Sequence, residues 1–380
     1  MEECPGYVFC RKGHWQRLRQ TDSEMLGVFL VRCCMGFRSE DGTKVIRKED
    51  EKMILIDFST VLTNDCVVVN SEKKKKWRFK KWLIGHIRKI SLLILNFFFN
   101  HDWLFSVVGW FNQRWNFLHT VFVAYPANEK YALAYVYLKH RDRMRWSPWP
   151  AGIFCQNGKW GLMTVISSVE QDFTDLKNLE NLKSLVKRTE RIRKLLRAKQ
   201  KTFAGILPGV MYMKRLIRES PEADVTVEAV LQAERELKLV INYPENIPLI
   251  ILGGNGFIGR RLIKKLDGRE VYCVDVGENN NNWPDHLYGR KVILINLTRK
   301  AVLTNYLHLF WSNLVLLNEV YPEPKQNDLQ ELTNKGSVAY HVVGLKAESY
   351  PSFPRAYRGG IPCCAGYHAK KMEVIVKKLN

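Results

Sequence analysis

Short apolar runs alternate with amphipathic stretches over the C-terminal third of the chain. The run from Pro248 to Leu252 predicts a buried strand, and Phe257 to Leu266 has the spacing of a helix. Further strands are predicted at residues 271–274, 292–297, 314–317 and 338–343, with helices near residues 300–310 and 328–334. This alternation predicts an α/β fold with a parallel sheet of about five strands, whose ligands bind at the carboxyl ends of the strands.

The middle of the chain has a different pattern. Apolar residues at 120–125 and 131–138 predict two strands, and residues 153–165 predict a hairpin that turns at Asn157-Gly158. A leucine stripe over residues 173–201 predicts a long helix, and residues 226–238 predict another. We interpret residues 116–245 as a smaller α+β domain on the substrate side, which precedes the parallel sheet of residues 246–380.

The first 115 residues divide into two segments. Residues 1–52 are an extension of unknown role. Residues 53–115 combine a basic, aromatic run over Lys73 to Lys89 with apolar stretches on both sides of Asn100-His101-Asp102. A membrane-spanning helix needs about 20 apolar residues, so this interruption argues against a transmembrane pass. An anionic membrane surface and a buried helix with a solvated basic flank both fit the run; nucleic acid is a third partner, without a recognition motif to support it.

The turn between the first strand of the predicted sheet and the helix after it is rich in glycine. Its sequence is Gly253-Gly254-Asn255-Gly256-Phe257-Ile258-Gly259. Such a turn brings backbone N–H groups and a helix N-terminus close to a pyrophosphate. The next strand ends in Asp275, about 20 residues on, where a carboxylate binds the ribose diol of a dinucleotide. Asp275 and Glu278 would repel a 2′-phosphate. We therefore predict a Rossmann-like sheet with an NAD site, NADP fitting less well; the alternative is a structural strand-to-helix turn.

The composition of the chain indicates what kind of partner it binds and in which compartment it lies. The formal charge of +21 implies an acidic partner, such as a membrane surface or an acidic carrier protein. The nine cysteines have no C-x-x-C metal spacing, and no metal site is predicted. Without a secretory leader, we expect a cytoplasmic protein, peripheral on a membrane if the basic run binds one.

Three further polar residues follow the predicted third strand of the sheet. Asn296 and Thr298 lie where dehydrogenase sheets meet the nicotinamide ribose, and Lys300 is suited to bind a carboxylate or polarise a carbonyl. In the alternative interpretation Thr298 caps the next helix and Lys300 is solvated.

The order of these pieces resembles that of the long-chain acyl-[acyl-carrier-protein] reductases and of related predicted amino-acid or shikimate-type dehydrogenases. The resemblance covers residues 117–380. Its pieces are Asn157-Gly158-Lys159 with the helix after it, Phe203 to Gly209, Gly253 to Gly259, Asn318 to Pro322, and Arg358-Gly359-Gly360.

The resemblance implies that a cysteine after the Gly-Gly pair forms a thioester, which hydride reduces to an aldehyde. Cys363 and Cys364 lie in that region, and Cys364 is favoured because it is closer to an expected helix N-terminus, which stabilises a thiolate. Buried packing is the alternative role of both cysteines. The reductases are adapted to NADPH, whereas Asp275 indicates NAD.

The chain also resembles the extended short-chain dehydrogenases, through the glycine turn and the Tyr-x-x-x-Lys spacing of Tyr367 and Lys371. In that family the tyrosine donates the proton and the lysine lowers its pKa. Three functions follow: an NAD(P)-dependent oxidoreductase acting on an acyl or amino-acid-like carbonyl of a small molecule or acyl carrier, a nucleotide-binding module without chemistry at a membrane surface, and a short-chain enzyme acting on a nucleotide-sugar.

Overall fold

The structure is a computed structural model. It describes short strands between residues 7 and 57 and then residues 71–380, apart from 276–281, 299 and 370–371. For residues up to 81, and for 300, 301 and 355, it describes the backbone only. The chain separates into two compact units, Met1–Lys81 and Trp82–Asn380.

The described strands of the first unit pair antiparallel. A two-stranded ribbon is followed by a five-stranded meander in chain order. The ribbon consists of β1 (Tyr7–Phe9) and β2 (Trp15–Arg17), and the meander of β3 (Arg19–Gln20), β4 (Val28–Leu30), β5 (Phe37–Ser39), β6 (Lys44–Glu49) and β7 (Lys52–Asp57).

The rest of the chain alternates helices and strands. The helices are α1 (Ser71–Phe99), α2 (Asp102–Trp115), α3 (Glu129–Tyr135), α4 (Leu138–Met144), α5 (Glu170–Thr174), α6 (Leu179–Leu195), α7 (Leu207–Met213), α8 (Pro221–Ile241), α9 (Gly259–Lys265), α10 (Lys300–Thr304) and α11 (Gln326–Asn334). The strands are β8 (Leu118–Ala124), β9 (Trp149–Gln156), β10 (Lys159–Val165), β11 (Gln200–Phe203), β12 (Leu249–Leu252), β13 (Val271–Val274), β14 (Val292–Asn296), β15 (Leu314–Asn318), β16 (Val338–Lys346), β17 (Glu348–Tyr350), β18 (Gly360–Ile361) and β19 (Val374–Lys378).

These strands form two sheets, and the fold is mixed α/β with parallel sheet segments. The smaller sheet has the order β11-β8-β10-β9-β17, with β11, β8 and β10 parallel and the last two strands antiparallel. The larger has the order β13-β12-β14-β15-β16, all parallel, and β18 and β19 pair antiparallel with β16. Apolar side chains bury both faces of the larger sheet, which explains the continuous apolar runs of its strands.

One core joins the two sheets. Helix α8 contributes Val230 and Leu237 to a cluster that contains Ile251 of β12 and also Phe122 and Phe154 of the smaller sheet. The other face of the larger sheet is covered by residues of α10 and α11, including Leu303 and Leu332. The two sheets consequently pack on the same helix, α8.

The predicted hairpin is confirmed, since β9 and β10 pair on both sides of Asn157 and Gly158, which have φ of +46° and +74°. The strand predicted at residues 131–138 is wrong. Asn128 caps a helix there by accepting a hydrogen bond from the Tyr131 N–H at 3.1 Å, and Ala132 and Val136 point one helical turn apart into the protein.

The long helix predicted over residues 173–201 is shorter than expected. Helix α6 ends at Leu195 because Arg197 adopts φ of +51°, and the chain then enters β11. The helix expected after the cysteine pair is not found among the described residues. Cys363–Ala365 form a single turn of 3-10 helix, and the described residues after it lead into β19.

Helix α1 ends at Phe99, where the polar interruption begins. Its stretch Trp82–Phe99 is nevertheless long and apolar enough to cross a membrane by length and composition, and 6% of that stretch is buried. The expectation that this region does not cross a membrane stays a prediction.

Candidate functional site

The glycine turn lies between β12 and α9 and depends on tight backbone contacts. Gly253 adopts φ of +95°, and its N–H donates to the carbonyl oxygen of Val274 at 2.8 Å. A Cβ on Gly259 would lie 2.2 Å from the carbonyl oxygen of Gly253, so a side chain there cannot fit. Asn255 and Gly256 are exposed at the tip of the turn. The glycines thus fold the turn back on β12 and leave its tip open to a ligand.

Asp275 follows β13 and contacts this tip directly. Its Oδ2 accepts a hydrogen bond from the backbone N–H of Asn255 at 2.6 Å. The second carboxylate oxygen has no hydrogen bond to the described residues, and the side chain is half-buried. Glu278, predicted to add negative charge here, lies outside the described residues.

Gly254 has a different role from the one that its position in the motif predicts. A Cβ at this residue would lie 3.0 Å from the Cβ of Cys273 and 3.2 Å from the Cδ1 of Ile263. A side chain at Gly254 would therefore press on β13 and α9 instead of filling the place of a pyrophosphate. At Gly256 the added Cβ meets only the backbone of Gly253, at 3.0 Å. Of these two glycines, Gly256 therefore has more space around it for a side chain or a ligand.

Helix α7 brings the smaller sheet against the glycine turn. The ring of Phe257 lies 5.4 Å from that of Tyr212, and the Arg261 guanidinium stacks 4.0 Å from the Phe257 ring centre. A Cβ on Gly209 would lie 3.5 Å from Phe257. Phe257 and Ile258 are therefore partly buried by this packing. Asn255 and Gly256 are the exposed residues of the turn.

A chain of buried amides crosses the ends of β14, β15 and β16. Asn296 accepts hydrogen bonds from the Thr298 N–H at 3.1 Å and hydroxyl at 2.6 Å, and its Nδ2 donates to Asn318 Oδ1 at 2.7 Å. Asn318 Nδ2 lies 2.9 Å from His341 Nδ1, and burial lowers the pKa of that imidazole. The side-chain amide of Asn296 is thus hydrogen-bonded within the protein and holds Thr298 in place. Thr298 borders Gly253 at the carboxyl end of the sheet.

Lys300 begins α10, so the third strand is followed at once by a helix as predicted. The side chain of Lys300 lies outside the described residues, and its predicted contact with substrate stays a prediction.

Both terminal cysteines belong to the 3-10 turn, and both thiols are hard to ionise. Burial raises the pKa of Cys364 to about 12, and the charges of Glu319 and Glu222 add to that effect; a backbone hydrogen bond from Gly205 offsets it in part. Burial also raises the pKa of Cys363 well above its usual range. The expectation of a thiolate stabilised by a helix N-terminus is wrong, because no α-helix follows in the described part of the chain and desolvation disfavours the anion.

Two carboxyls accompany Cys364, the buried Glu222 and the half-buried Glu319, and neither is in a salt bridge with a described residue. Glu222 is 2% exposed, and neither of its oxygens has a partner in strict hydrogen-bond geometry, although Ser220 and Phe203 lie near enough to lower its pKa in part. Burial raises the pKa of Glu222 to about 7 and that of Glu319 to about 7. Such groups exchange protons near neutral pH.

Two tyrosines complete this group. Tyr125 accepts the Ile206 N–H at 3.0 Å, and its hydroxyl donates to Glu170 at 3.3 Å; burial raises its pKa. Burial also raises the pKa of Tyr357 well above its usual range, and Cys364 and Glu319 contribute to the shift. We call Glu222, Glu319, Cys364, Tyr125 and Tyr357 the acid cluster.

Sequence reasoning named Cys364 and the stretch Asn318 to Pro322, which contains Glu319, but missed Glu222 and both tyrosines. Glu222 follows Ser220-Pro221, which is typical of the first turn of a helix, where an acid is ordinarily solvated. The burial of Glu222 comes from contacts with residues far along the chain, for which the local sequence has no signal.

Tyr367 lies in the loop after the 3-10 turn and packs against the smaller sheet. Its hydroxyl donates to the Gln156 carbonyl at 2.9 Å, and its ring packs 4.3 Å from that of His119. Lys371 lies outside the described residues. In the part of the chain that the structure describes, no group of three or more His, Cys, Asp or Glu side chains could hold a metal ion.

Comparisons with known proteins do not identify the chain. No family model and no curated protein matches it. Among solved structures, it is similar to a protein described as a LacI-type transcriptional regulator from Bacteroides fragilis, with 9% identity over 59% of this chain and 84% of that one. The TM-score of 0.24 is too low for an argument about fold or function.

Proposed function

We propose that this chain is an NAD(P)-dependent oxidoreductase with a Rossmann-like dinucleotide fold. The observation that carries the proposal is the hydrogen bond from the exposed Asn255 N–H to the Asp275 carboxylate. It joins a glycine turn to an acid at the end of the adjacent parallel strand, the pairing that holds a dinucleotide by its pyrophosphate and ribose.

The order of strands supports this assignment. Taken in chain order, the five parallel strands are arranged 2-1-3-4-5, with the reversal between β12 and β14. Ligands of open α/β sheets bind in the crevice outside the carboxyl ends of the strands at such a reversal. The glycine turn follows β12, and Thr298, which borders Gly253, follows β14.

The donors available in this crevice fit a dinucleotide. The free Asp275 oxygen suits the ribose hydroxyls and repels a 2′-phosphate, so we expect NAD(H) in preference to NADP(H). The bound cofactor would supply or accept the hydride. Asn296 orients Thr298 near the nicotinamide ribose, and Lys300 is the candidate to polarise a substrate carbonyl.

For the substrate, the acid cluster supports a carbonyl carried on sulfur. Glu222 takes the Cys364 proton as Sγ attacks the carbonyl carbon of an acyl thioester; the bond to the carrier sulfur breaks, and the departing thiolate takes a proton back from Glu222. A bound cofactor would supply hydride to the carbonyl carbon of the enzyme thioester, and Glu319 would protonate its oxygen. The Cys364 sulfur then leaves and takes the hydroxyl proton, which releases the aldehyde and restores the thiol, and solvent returns one proton to Glu319.

The raised pKa values make this division of roles specific. A thiol of pKa about 12 does not ionise alone at neutral pH, so Cys364 needs a base. Glu222, with a pKa of about 7 and unpartnered oxygens, is suited to that task. If both cysteines are dispensable, direct hydride transfer to an amino-acid-like carbonyl near Lys300 is the better account.

The two alternative functions receive less support. A nucleotide-binding module without chemistry has no use for buried carboxyls beside a thiol. A short-chain enzyme acting on a nucleotide-sugar needs Tyr367 beside the nicotinamide, whereas its hydroxyl is committed to Gln156.

Calorimetry with NADH and NADPH tests the proposal. The wild-type protein should bind NADH more tightly, and Asp275→Asn should weaken NADH binding by about ten- to a hundredfold, the worth of a hydrogen bond to a charged group. Asp267→Asn, at an exposed acid in the loop after α9, is the matched control and should bind like wild type. Tighter binding of NADPH would contradict the cofactor assignment, and a folded protein that binds neither would contradict the function.

A further inference from the structure

Helix α1 has one apolar face that no described residue covers. Exposed side chains recur three or four residues apart from Ile84 to Phe97, and Phe97 is 69% exposed. The stripe consists of Ile84, Ile87, Ile90, Ile94 and Phe97. Another face is held by the protein, since His86 Nδ1 bonds to the Tyr137 hydroxyl at 2.9 Å and Leu92 is buried. Helix α1 therefore lies along the protein surface in this stretch.

Helix α2 presents three tryptophans in the same manner. Trp103, Trp110 and Trp115 are 65%, 63% and 65% exposed. The opposite face is fixed to the end of α6: Asn112 Nδ2 donates to the carbonyl oxygens of Leu196 and Arg197 at 3.0 Å each. A Cβ on Gly109 would lie 1.8 Å from the Leu195 carbonyl oxygen, so the two helices touch through backbone.

An apolar groove of about 400 Å³ adjoins the junction of these helices. Its lining is wholly apolar and comes from α1, α2 and the smaller sheet: Phe99, Leu104, Phe105, Val108, Phe117, Leu118, Pro150, Ile153, Trp160, Leu162 and Leu196. Exposed apolar surface of this extent in one place marks an interaction site.

The charged residues near the stripe indicate which kind of surface it binds. Between residues 82 and 116 the sequence has three cations, Arg88, Lys89 and Arg114, and one acid, Asp102. Asp102 is neutralised by Arg188 and Arg191 at 2.5 and 2.6 Å. Apolar side chains flanked by cations, with tryptophans among them, suit the boundary between anionic headgroups and acyl chains. A second copy of this chain would bring like charges together.

We propose that the exposed faces of α1 and α2 dock on an anionic lipid bilayer, with both helices lying in the interface and the three tryptophans at headgroup depth. The contacts of His86 and Leu92 hold α1 against the domain, an orientation that crossing the bilayer would break. The proposal does not depend on the oxidoreductase function.

Vesicle flotation of the full chain tests this surface, using phosphatidylcholine vesicles with and without phosphatidylserine. We compare wild type with the triple variant Trp103→Ser, Trp110→Ser, Trp115→Ser. The matched control is Leu176→Ser with Leu239→Ser, at side chains 77% and 84% exposed elsewhere. Wild type and control should float with phosphatidylserine vesicles and be released by salt, and the triple variant should bind about tenfold more weakly or worse, with an unchanged circular dichroism melt.

Equal flotation of wild type and triple variant would overturn the proposal, as would failure of the wild type to float. Resistance of the bound wild type to alkaline carbonate would mean that residues 82–99 cross the bilayer, which overturns the interfacial orientation. A wild-type dimer in sedimentation that the triple variant loses, without flotation of either, would assign the surface to a second copy instead.

Discussion

The turn after β12 and the turn that contains Cys363 and Cys364 both lie at the carboxyl side of strands, but different contacts hold them. Near neighbours hold the first, through the bonds of Gly253 to Val274 and of Asn255 to Asp275. Distant residues hold the second: the Gly366 carbonyl accepts from Gln200 at 3.0 Å, and the Tyr367 N–H donates to Gln156 at 3.1 Å.

The difference affects the chemistry that each turn can perform. The glycine turn has an exposed tip at Asn255 and Gly256, whose N–H groups bond to Asp275 and to the Gly253 carbonyl oxygen, and it holds the Asp275 carboxylate beside that tip. In the cysteine turn Cys363 is buried and Cys364 half-buried, and desolvation raises the pKa values of both thiols and of the carboxyls beside them. We expect these groups to act through proton exchange with one another. One region suits binding, and the other suits acid–base and nucleophilic work.

Replacing Cys364 should have the largest effect, because the proposed thioester depends on this one sulfur. We expect Cys364→Ser to lower turnover on an acyl thioester by about 10⁴-fold, the scale seen when a nucleophile is removed, and to leave the affinity for NADH unchanged. Cys363→Ser, at the adjacent buried thiol, is the control and should retain activity. Full turnover in both variants would exclude covalent catalysis and favour direct hydride transfer near Lys300.

The next comparison is between two glycines of the same turn. A Cβ on Gly259 meets two carbonyl oxygens, at 2.2 and 2.5 Å, whereas one on Gly256 meets only the Gly253 backbone at 3.0 Å. Gly259→Ala should therefore lower the free energy of unfolding by about 4 kcal/mol or more, and Gly256→Ala by less than about 1 kcal/mol. Gly256→Ala should still weaken NADH binding. Urea melts and calorimetry measure both, and equal stabilities would refute this account of the turn.

These two turns also show how far sequence reasoning reaches. The glycine turn was predicted because its signals are local: an apolar strand, the glycines, a helix, and an acid about 20 residues on. The hairpin at Asn157-Gly158 was predicted for the same reason, since two residues with positive φ select that turn. The alternation of strands and helices, which predicts a parallel sheet, can also be read from patterns within short stretches of sequence.

What sequence reasoning missed depends on distant contacts. Apolar residues at 131–138 fit a strand as well as a helix, and the Asn128 cap together with packing on Leu92 decides for the helix. The raised pKa values of the two thiols come mainly from burial by distant parts of the chain. The charge of Glu319, about 45 residues away in sequence, adds to both shifts, and that of Glu222, about 140 residues away, adds to the shift of Cys364. No local pattern reveals that these groups meet.

The pH dependence of stability isolates Glu222. The pKa of this carboxyl is about 7 in the folded protein, above its ordinary value of 4.5, so the folded state retains a proton that the unfolded state has lost. Stability should therefore fall as pH rises from about 4.5 to about 7 and then level off, by about 3 kcal/mol for this group. Glu222→Gln removes that loss, so the variant should match wild type near pH 4.5 and exceed it at pH 8.

Chemical unfolding at the two pH values measures this difference, with Glu219→Gln, at a neighbouring exposed acid, as the control. The control should follow the wild-type curve. Glu319 titrates in the same direction, so the Glu222→Gln protein should keep part of the decline instead of becoming independent of pH. Parallel curves for Glu222→Gln and wild type would show that Glu222 is ionised in the folded protein at neutral pH. The pKa of Glu222 would then not be raised, and the carboxylate would be too weak a base to take the proton of a thiol whose pKa is about 12.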